Sequence, residues 1–212
     1  MPETAVDIPC GDIVLEGRLT APEGGGPFAA VVVCHPHPQY GGDMHNNVVS
    51  AVVAGLAERG LAALRFNFRG TGRSEGAHDG GRGERDDVRA ALARVATLPG
   101  VDGARLGLAG YSFGASMAAA VGAEGPARAL ALVALPLRNA GEQAEALTPF
   151  GGPLLLTTGD SDDICPVEGV EELASALGER VQVEIIPNTD HFWLGHEREL
   201  ATRVGEFFAR HL

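Results

Sequence analysis

The sequence lacks any apolar run of about 18 residues, the length that a transmembrane helix requires, so we expect no membrane span. Its N-terminus is acidic and polar, with no basic segment leading into an apolar one, and predicts no signal peptide. Cysteine is also scarce. The three cysteines, Cys10, Cys34 and Cys165, are odd in number and lie far apart in the sequence. They form neither a disulfide framework nor a CxxC metal pair, and the absences together predict a cytoplasmic, reducing setting.

The sequence has fewer basic than acidic residues. There are 16 Lys and Arg against 28 Asp and Glu, so the formal net charge is 16 − 28 = −12. Such a surface repels phosphate groups, which argues against a nucleic acid or an anionic membrane as the partner. Aromatic residues make up only 5% of the chain, so Ala, Val and Leu must build the core. The length of 212 residues suits one domain, predicted here at 1–212.

Short apolar runs alternate with amphipathic stretches along the chain. Strands are predicted at 13–20, 28–34, 61–68, 105–109, 129–135, 154–158 and 181–186, and helices at 46–59, 84–98, 112–122, 140–147, 167–177 and 196–211. Several strands are apolar at nearly every position, which is typical of a mostly parallel sheet covered on both faces. The first alternates and suits an antiparallel edge. The pattern predicts an α/β fold with right-handed crossovers.

A candidate nucleophile lies directly after the strand at 105–109, where ligands are expected in an open α/β sheet. Residues 110–114 read Gly-Tyr-Ser-Phe-Gly, a G-x-S-x-G pattern between a strand and a helix rich in small residues. A sharp turn there would push the Ser112 hydroxyl out of the sheet, and the flanking glycines lack the Cβ atoms that would collide. The alternative interpretation is a turn serine that caps the helix.

A serine hydroxyl needs a base, and a histidine held by a carboxylate supplies one. His191 follows the strand at 181–186, and three aspartates follow the strand at 154–158. The chain order Ser, Asp, His is the one expected after a nucleophile elbow.

Among the aspartates we favour Asp162, which lies at the apex of its loop, with Asp163 as the second choice. Asp160 is assigned to a turn cap. Asp190 is expected to point away from His191, because neighbours on an extended loop face opposite ways.

Oxyanion stabilisation needs backbone N–H groups. Phe113, directly after the nucleophile, should supply one. The loop after 28–34 should supply the other, and of His35, His37 and Gln39, which keep an N–H between prolines, His37 is best placed. Candidate pocket residues are Tyr40, Leu137, Phe192 and Trp193.

Other motifs allow competing interpretations. His35-x-His37 with His45 could bind a metal, although H-x-H alone is a weak signal. The glycine-rich segment 70–76 imitates a dinucleotide-binding loop, but no helix follows at once, and we reject it. Two features are assigned to the surface: the histidines His78, His196 and His211, and the charge run 82–94 with Asp86, Asp87 and Arg94 turned outward. Cys34 is expected to be buried, and Cys165 shows no sign of an activated thiolate.

These motifs resemble the α/β-hydrolase superfamily over essentially the whole chain. Segment 65–76 is similar to the loop after the fourth strand of many such enzymes, and segment 34–44 is similar to compact bacterial hydrolases near the dienelactone-hydrolase-like group. The chain differs from true dienelactone hydrolases, which carry Cys where Ser112 stands, and from the common His-Gly oxyanion loop. The family usually inserts its lid after the sixth strand. Only 138–153 separate the two strands here, which implies an open, lidless site.

The combined expectation is a serine hydrolase of the carboxylesterase type, acting on small or accessible esters through an acyl-enzyme on Ser112. The chemistry requires no cofactor and no metal. A thioesterase or a peptidase would use the same triad, so these remain alternatives. A non-catalytic binding protein on the same scaffold is a further alternative, because fold does not fix function.

Overall fold

The computed structural model describes residues 3–137 and 140–212. Those ranges contain eight strands in one sheet, in the order β1-β2-β4-β3-β5-β6-β7-β8, and six α-helices. The strands are β1 (Glu3–Cys10), β2 (Ile13–Thr20), β3 (Phe28–Cys34), β4 (Ala62–Phe66), β5 (Val101–Tyr111), β6 (Ala127–Val133), β7 (Leu154–Gly159) and β8 (Val181–Ile186). The helices are α1 (Asn47–Glu58), α2 (Arg82–Val95), α3 (Phe113–Gly122), α4 (Ala140–Leu147), α5 (Val167–Leu177) and α6 (Glu197–His211). The predicted α/β fold is confirmed.

The edge of the sheet differs from the prediction. β2 is antiparallel as expected, but it pairs with β4 on one side and with β1 on the other, so β1 forms the edge. The sequence pattern does not predict β1, because only Val6 and Ile8 of its eight residues are buried and Pro9 interrupts the alternation of apolar and polar residues. Every other neighbouring pair, from β4 to β8, is parallel.

The centre of the sheet is apolar because both of its faces are covered. The segment 30–34 of β3 is buried throughout, as are most residues of β6 and β7. α1 packs on α6 at a point where the backbones nearly touch, since a Cβ on Gly55 would lie 1.9 Å from the Ala201 carbonyl oxygen. Because the strands from β4 to β8 are parallel, their carboxyl ends lie at one rim of the sheet, where the loops after β3, β5, β7 and β8 meet.

The prediction that the charge run 82–94 faces solvent is wrong for part of helix α2. Asp86 is exposed, but Glu84 and Asp87 are fully buried. The Asp87 carboxylate accepts hydrogen bonds from the Arg69 side chain at 2.7 and 3.0 Å and from its backbone N–H at 2.9 Å. The helical periodicity could not reveal this partner, because Arg69 comes from the loop after β4.

The connection between β6 and β7 is short. Within the described residues it contains only α4, and no lid covers the rim. The predicted connection 138–153 begins at Arg138 and Asn139, which lie outside the described residues. Among the helices of residues 3–137 and 140–212, none is long and apolar enough to cross a membrane.

Candidate active site

Ser112 stands on a sharp turn between β5 and α3. Its backbone is in an unusual conformation, with φ 53° and ψ −117°, and its N–H donates to the Val133 carbonyl at 2.9 Å. The two flanking glycines have no room for a side chain. A Cβ on Gly110 would lie 2.2 Å from the Gly114 carbonyl oxygen, and one on Gly114 would lie 2.4 Å from the Cys34 carbonyl oxygen. The sequence motif therefore forms the strained strand-to-helix turn that it predicts.

Three polar side chains from separate loops meet at this turn. The Nε2 atom of His191 lies 3.0 Å from the Ser112 Oγ. On its other side, the His191 Nδ1 lies 2.8 and 3.0 Å from the two carboxylate oxygens of Asp162. Asp162 follows β7 and His191 follows β8, so the parallel sheet brings them together at one rim. The array has the geometry of a nucleophile, a base and an orienting acid.

Asp162 is held in place by its own loop. It is 3% exposed, and its Oδ1 accepts the N–H groups of Ile164 and Cys165 at 2.9 Å each. Burial raises the pKa of Asp162, but the hydrogen bonds from His191 and from those two amides outweigh burial and bring it below its ordinary value. The carboxylate is therefore charged at neutral pH and can stabilise a positive imidazole.

The competing aspartates lie elsewhere. Asp163 is exposed. Asp160 is exposed too, and accepts a hydrogen bond from the Ser161 hydroxyl at 3.0 Å. Asp190 accepts the Phe192 N–H at 2.9 Å, away from the His191 ring. Asp162 alone of these contacts the histidine.

A cavity of about 680 Å³ opens over the Ser112 hydroxyl. Of the four predicted pocket residues, Tyr40 and Phe192 line it, and these two residues are 88% and 61% exposed. The prediction that Trp193 lines the pocket is wrong. Trp193 is fully buried, and its backbone has a positive φ of 62° that turns the ring into the core. Leu137 is not among the lining residues, since its side chain packs against Gly169 of α5.

The cavity has further lining residues that the sequence did not single out. These are Pro36, Gly41, Gly42, Asn46, Tyr111, Ser116, Pro136 and Ile164. All of these except Ser116, which lies in the first turn of α3, lie in or next to a loop that follows a strand, so the rule that ligands bind at strand ends is the signal that could have found them.

Phe113 and His37, the two residues predicted to stabilise the oxyanion, line the same cavity as Ser112. Phe113 is the first residue of α3, where a backbone N–H has no acceptor within the helix. His37 precedes the short 3-10 turn at Pro38–Tyr40, and its ring centroid is 4.8 Å from that of Phe113.

The residue before the nucleophile is a second feature that the sequence did not reveal. The buried Tyr111 hydroxyl donates to the His191 carbonyl at 2.7 Å. The Asn47 amide donates to the next carbonyl in that loop, that of Phe192, at 3.0 Å. The loop carrying the base is therefore tied to both β5 and α1.

One of the three histidines considered as metal ligands, His35, has other partners. The His35 ring is buried, its Nδ1 lies 2.6 Å from the Pro36 carbonyl, and its Nε2 accepts the Phe68 N–H at 3.0 Å. No group of three metal-ligating side chains is found in the described ranges. Burial raises the pKa of the Cys165 thiol to about 12 and that of Cys10 to about 11, which keeps both thiols protonated.

Comparison with known proteins identifies the family to which this chain belongs. Residues 29–207 match the alpha/beta hydrolase domain. An uncharacterised protein of Rickettsia prowazekii is 32% identical over 215 residues, which cover 98% of this chain and 88% of the relative.

Solved structures agree with this match. An alpha-beta serine hydrolase homologue from Coxiella burnetii is 34% identical, with a TM-score of 0.84 over 96% of this chain and 97% of that one. A serine hydrolase without a lid from Xanthomonas campestris is 29% identical, with a TM-score of 0.85 over 99% and 96%. The chain therefore belongs to the α/β-hydrolase family. Its fold is that of the compact members that lack a lid.

Proposed function

We propose that the protein is a carboxylesterase that cleaves small or accessible esters through an acyl-enzyme on Ser112. The observation that carries the proposal is the contact of the Ser112 hydroxyl with His191, which contacts a buried Asp162 on its other side. The hydroxyl faces an open cavity of about 680 Å³ whose lining is largely apolar, which suits the acyl group of an ester.

In the first half-reaction the Ser112 Oγ attacks the ester carbonyl carbon while the His191 Nε2 takes the hydroxyl proton. Asp162 holds the ring so that Nε2 faces the serine and stabilises the imidazolium that forms. The Phe113 and His37 amides donate to the oxygen that becomes negative. His191 then gives its proton to the departing alcohol, and the C–O bond to that alcohol breaks.

The second half-reaction uses water in place of the serine. His191 takes a proton from water, the resulting oxygen attacks the acyl carbon, and the proton passes to the Ser112 Oγ as the acid leaves. The open mouth of the cavity gives water access to the acyl group. Every proton that moves is carried by one side chain, His191.

A fluorophosphonate probe and a p-nitrophenyl ester series from acetate to decanoate test the proposal. We expect labelling of the native protein, and a fall in kcat by about three orders of magnitude or more in Ser112→Ala without loss of fold. Ser175→Ala changes an exposed serine of α5 and should keep full labelling. A folded native protein that neither labels nor cleaves esters would refute the proposal and favour a binding role.

A further inference from the structure

Three rings meet behind the two amides proposed for the oxyanion hole. The His37 ring centroid is 4.8 Å from that of Phe113 and 5.0 Å from that of His78. The Phe113 and His78 centroids are 5.8 Å apart. His37 follows β3, Phe113 begins α3 and His78 precedes α2, so the cluster joins three separate segments. His78 was expected on the surface, but its side chain is only 16% exposed.

Buried Glu84 lies beside His78. Its Oε1 lies 2.8 Å from the His78 Nδ1, so the two side chains are in direct contact. The carboxylate also accepts the N–H groups of Asp79 at 2.9 Å and Gly81 at 2.7 Å. These bonds fix Glu84 in the first turn of α2, where the helix dipole favours a negative charge.

The segment between His78 and Glu84 packs directly on the nucleophile helix. A Cβ on Gly81 would lie 3.2 Å from the Met117 methyl group and 3.9 Å from the Phe113 ring. His78 itself is not one of the residues that line the Ser112 cavity, but it lines the adjoining groove together with Gly41 and Gly42. It therefore lies beside the cavity and packs against two residues that line it, His37 and Phe113.

We propose that His78, packed against the His37 and Phe113 rings, is a positioning residue that holds the amides of those two residues in the geometry that binds the oxyanion. The inference rests on the proposed esterase function. An oxyanion donor must sit within about 3 Å of the developing charge, and complete loss of one donor lowers kcat by about 10²–10³. Loosening the support should cost less, about tenfold, and should act on kcat more than on KM because the charge develops only in the transition state.

Two substitutions at His78 test the role of its ring. His78→Gln keeps a polar group opposite Glu84 but removes the ring, whereas His78→Phe restores a ring and leaves Glu84 with its two backbone donors. For His78→Gln we expect kcat on p-nitrophenyl acetate to fall about tenfold with KM changed by less than about twofold. His78→Phe should recover kcat to within about threefold of the native value. His211→Gln, at the exposed end of α6, is the matched control.

A trifluoromethyl ketone supplies the readout that a merely structural role would not move. It adds to the Ser112 hydroxyl and leaves a negative oxygen in the oxyanion hole, so its inhibition constant should rise about tenfold in His78→Gln, in parallel with kcat. A folded His78→Gln with native kcat overturns the inference, as does an unchanged inhibition constant, or a His78→Phe as slow as His78→Gln. If Ser112 still labels and hydrolyses esters in those cases, the inference alone fails and the proposed function stands.

Discussion

Tyr111 and His191 are joined by a buried hydrogen bond of 2.7 Å, although 80 positions separate them in the chain. The donor is the residue directly before the nucleophile, and the acceptor is the carbonyl of the base itself. The bond therefore ties the nucleophile turn to the base loop, in addition to the contact between the Ser112 and His191 side chains.

The substitution Tyr111→Phe removes that bond and little else. We expect the free energy of unfolding to fall by about 1–3 kcal/mol, because the His191 carbonyl is left buried without its donor. We also expect kcat to fall about tenfold with little change in KM, since a displaced base slows proton transfer. Urea unfolding and p-nitrophenyl acetate kinetics measure the two effects. Tyr40→Phe changes the other tyrosine of the chain, which is 88% exposed, and should leave the unfolding free energy unchanged. Native stability and kcat in Tyr111→Phe would contradict the coupling.

A methyl group at Gly110 should be incompatible with the nucleophile turn. The added Cβ would meet the Gly114 carbonyl oxygen at 2.2 Å and the Ala115 nitrogen at 2.6 Å, and backbone atoms cannot rotate away as a flexible side chain would. We expect Gly110→Ala to lower the free energy of unfolding by about 3 kcal/mol and to abolish fluorophosphonate labelling. Gly151→Ala is the matched control, because that glycine is exposed and has open space around its Cβ position. Equal stability of the two variants would show that the turn tolerates a side chain.

The sequence predicts the parts of this fold that depend on local pattern. β2, β3, β8, α4 and α5 have the predicted bounds, because their apolar residues follow the period of a strand or a helix. β1 does not, since an edge strand buries only Val6 and Ile8 and its pattern is too sparse to recognise. The rim where strands end was predictable for the same reason, because a parallel sheet brings the residues after its strands together.

The residues that were misplaced depend on long-range contacts. Asp87 has the spacing of an outward residue, and only the arrival of Arg69 from another loop makes its burial favourable. His78 becomes half-buried through Glu84 and the rings around it. Trp193 follows two candidate site residues in the sequence, yet a positive φ turns it into the core. A pattern read along the chain contains none of these partners.

Removal of the buried Asp87 carboxylate should destabilise the fold far more than removal of the neighbouring surface carboxylate of Asp86. Asp87 is fully buried and Arg69 is 18% exposed, whereas Asp86 and Arg89 are 63% and 42% exposed. We expect Asp87→Ala to lower the free energy of unfolding by about 3–5 kcal/mol, because the guanidinium is left partly buried without its partner. Asp86→Ala, one residue away on the same helix, should change it by less than about 1 kcal/mol. Urea unfolding of both variants at one pH makes the comparison, and similar losses would contradict the assigned burial.

The buried ring of His35 should make stability depend on pH. Burial lowers the pKa of His35 from 6.5 to about 4, and the Phe68 N–H already occupies the nitrogen that a second proton would need. The folded chain therefore binds fewer protons than the unfolded chain between those values, so stability rises with pH in that window and is lost as pH falls through it. The contribution amounts to about 3 kcal/mol in total, since each pH unit is worth about 1.4 kcal/mol.

Replacing His35 with Gln should remove most of that slope. We expect the unfolding free energy of His35→Gln, measured in urea at intervals from pH 4 to 7, to change less with pH than that of the native protein, by up to about 3 kcal/mol over the range. The other titrating groups are common to both proteins, so the difference between the two curves isolates the ring. His45→Gln changes an exposed histidine and should keep the native slope. Parallel curves for His35→Gln and the native protein would contradict this prediction. They would mean that the buried ring accepts its second proton without cost, despite the contact between the Phe68 N–H and its Nε2.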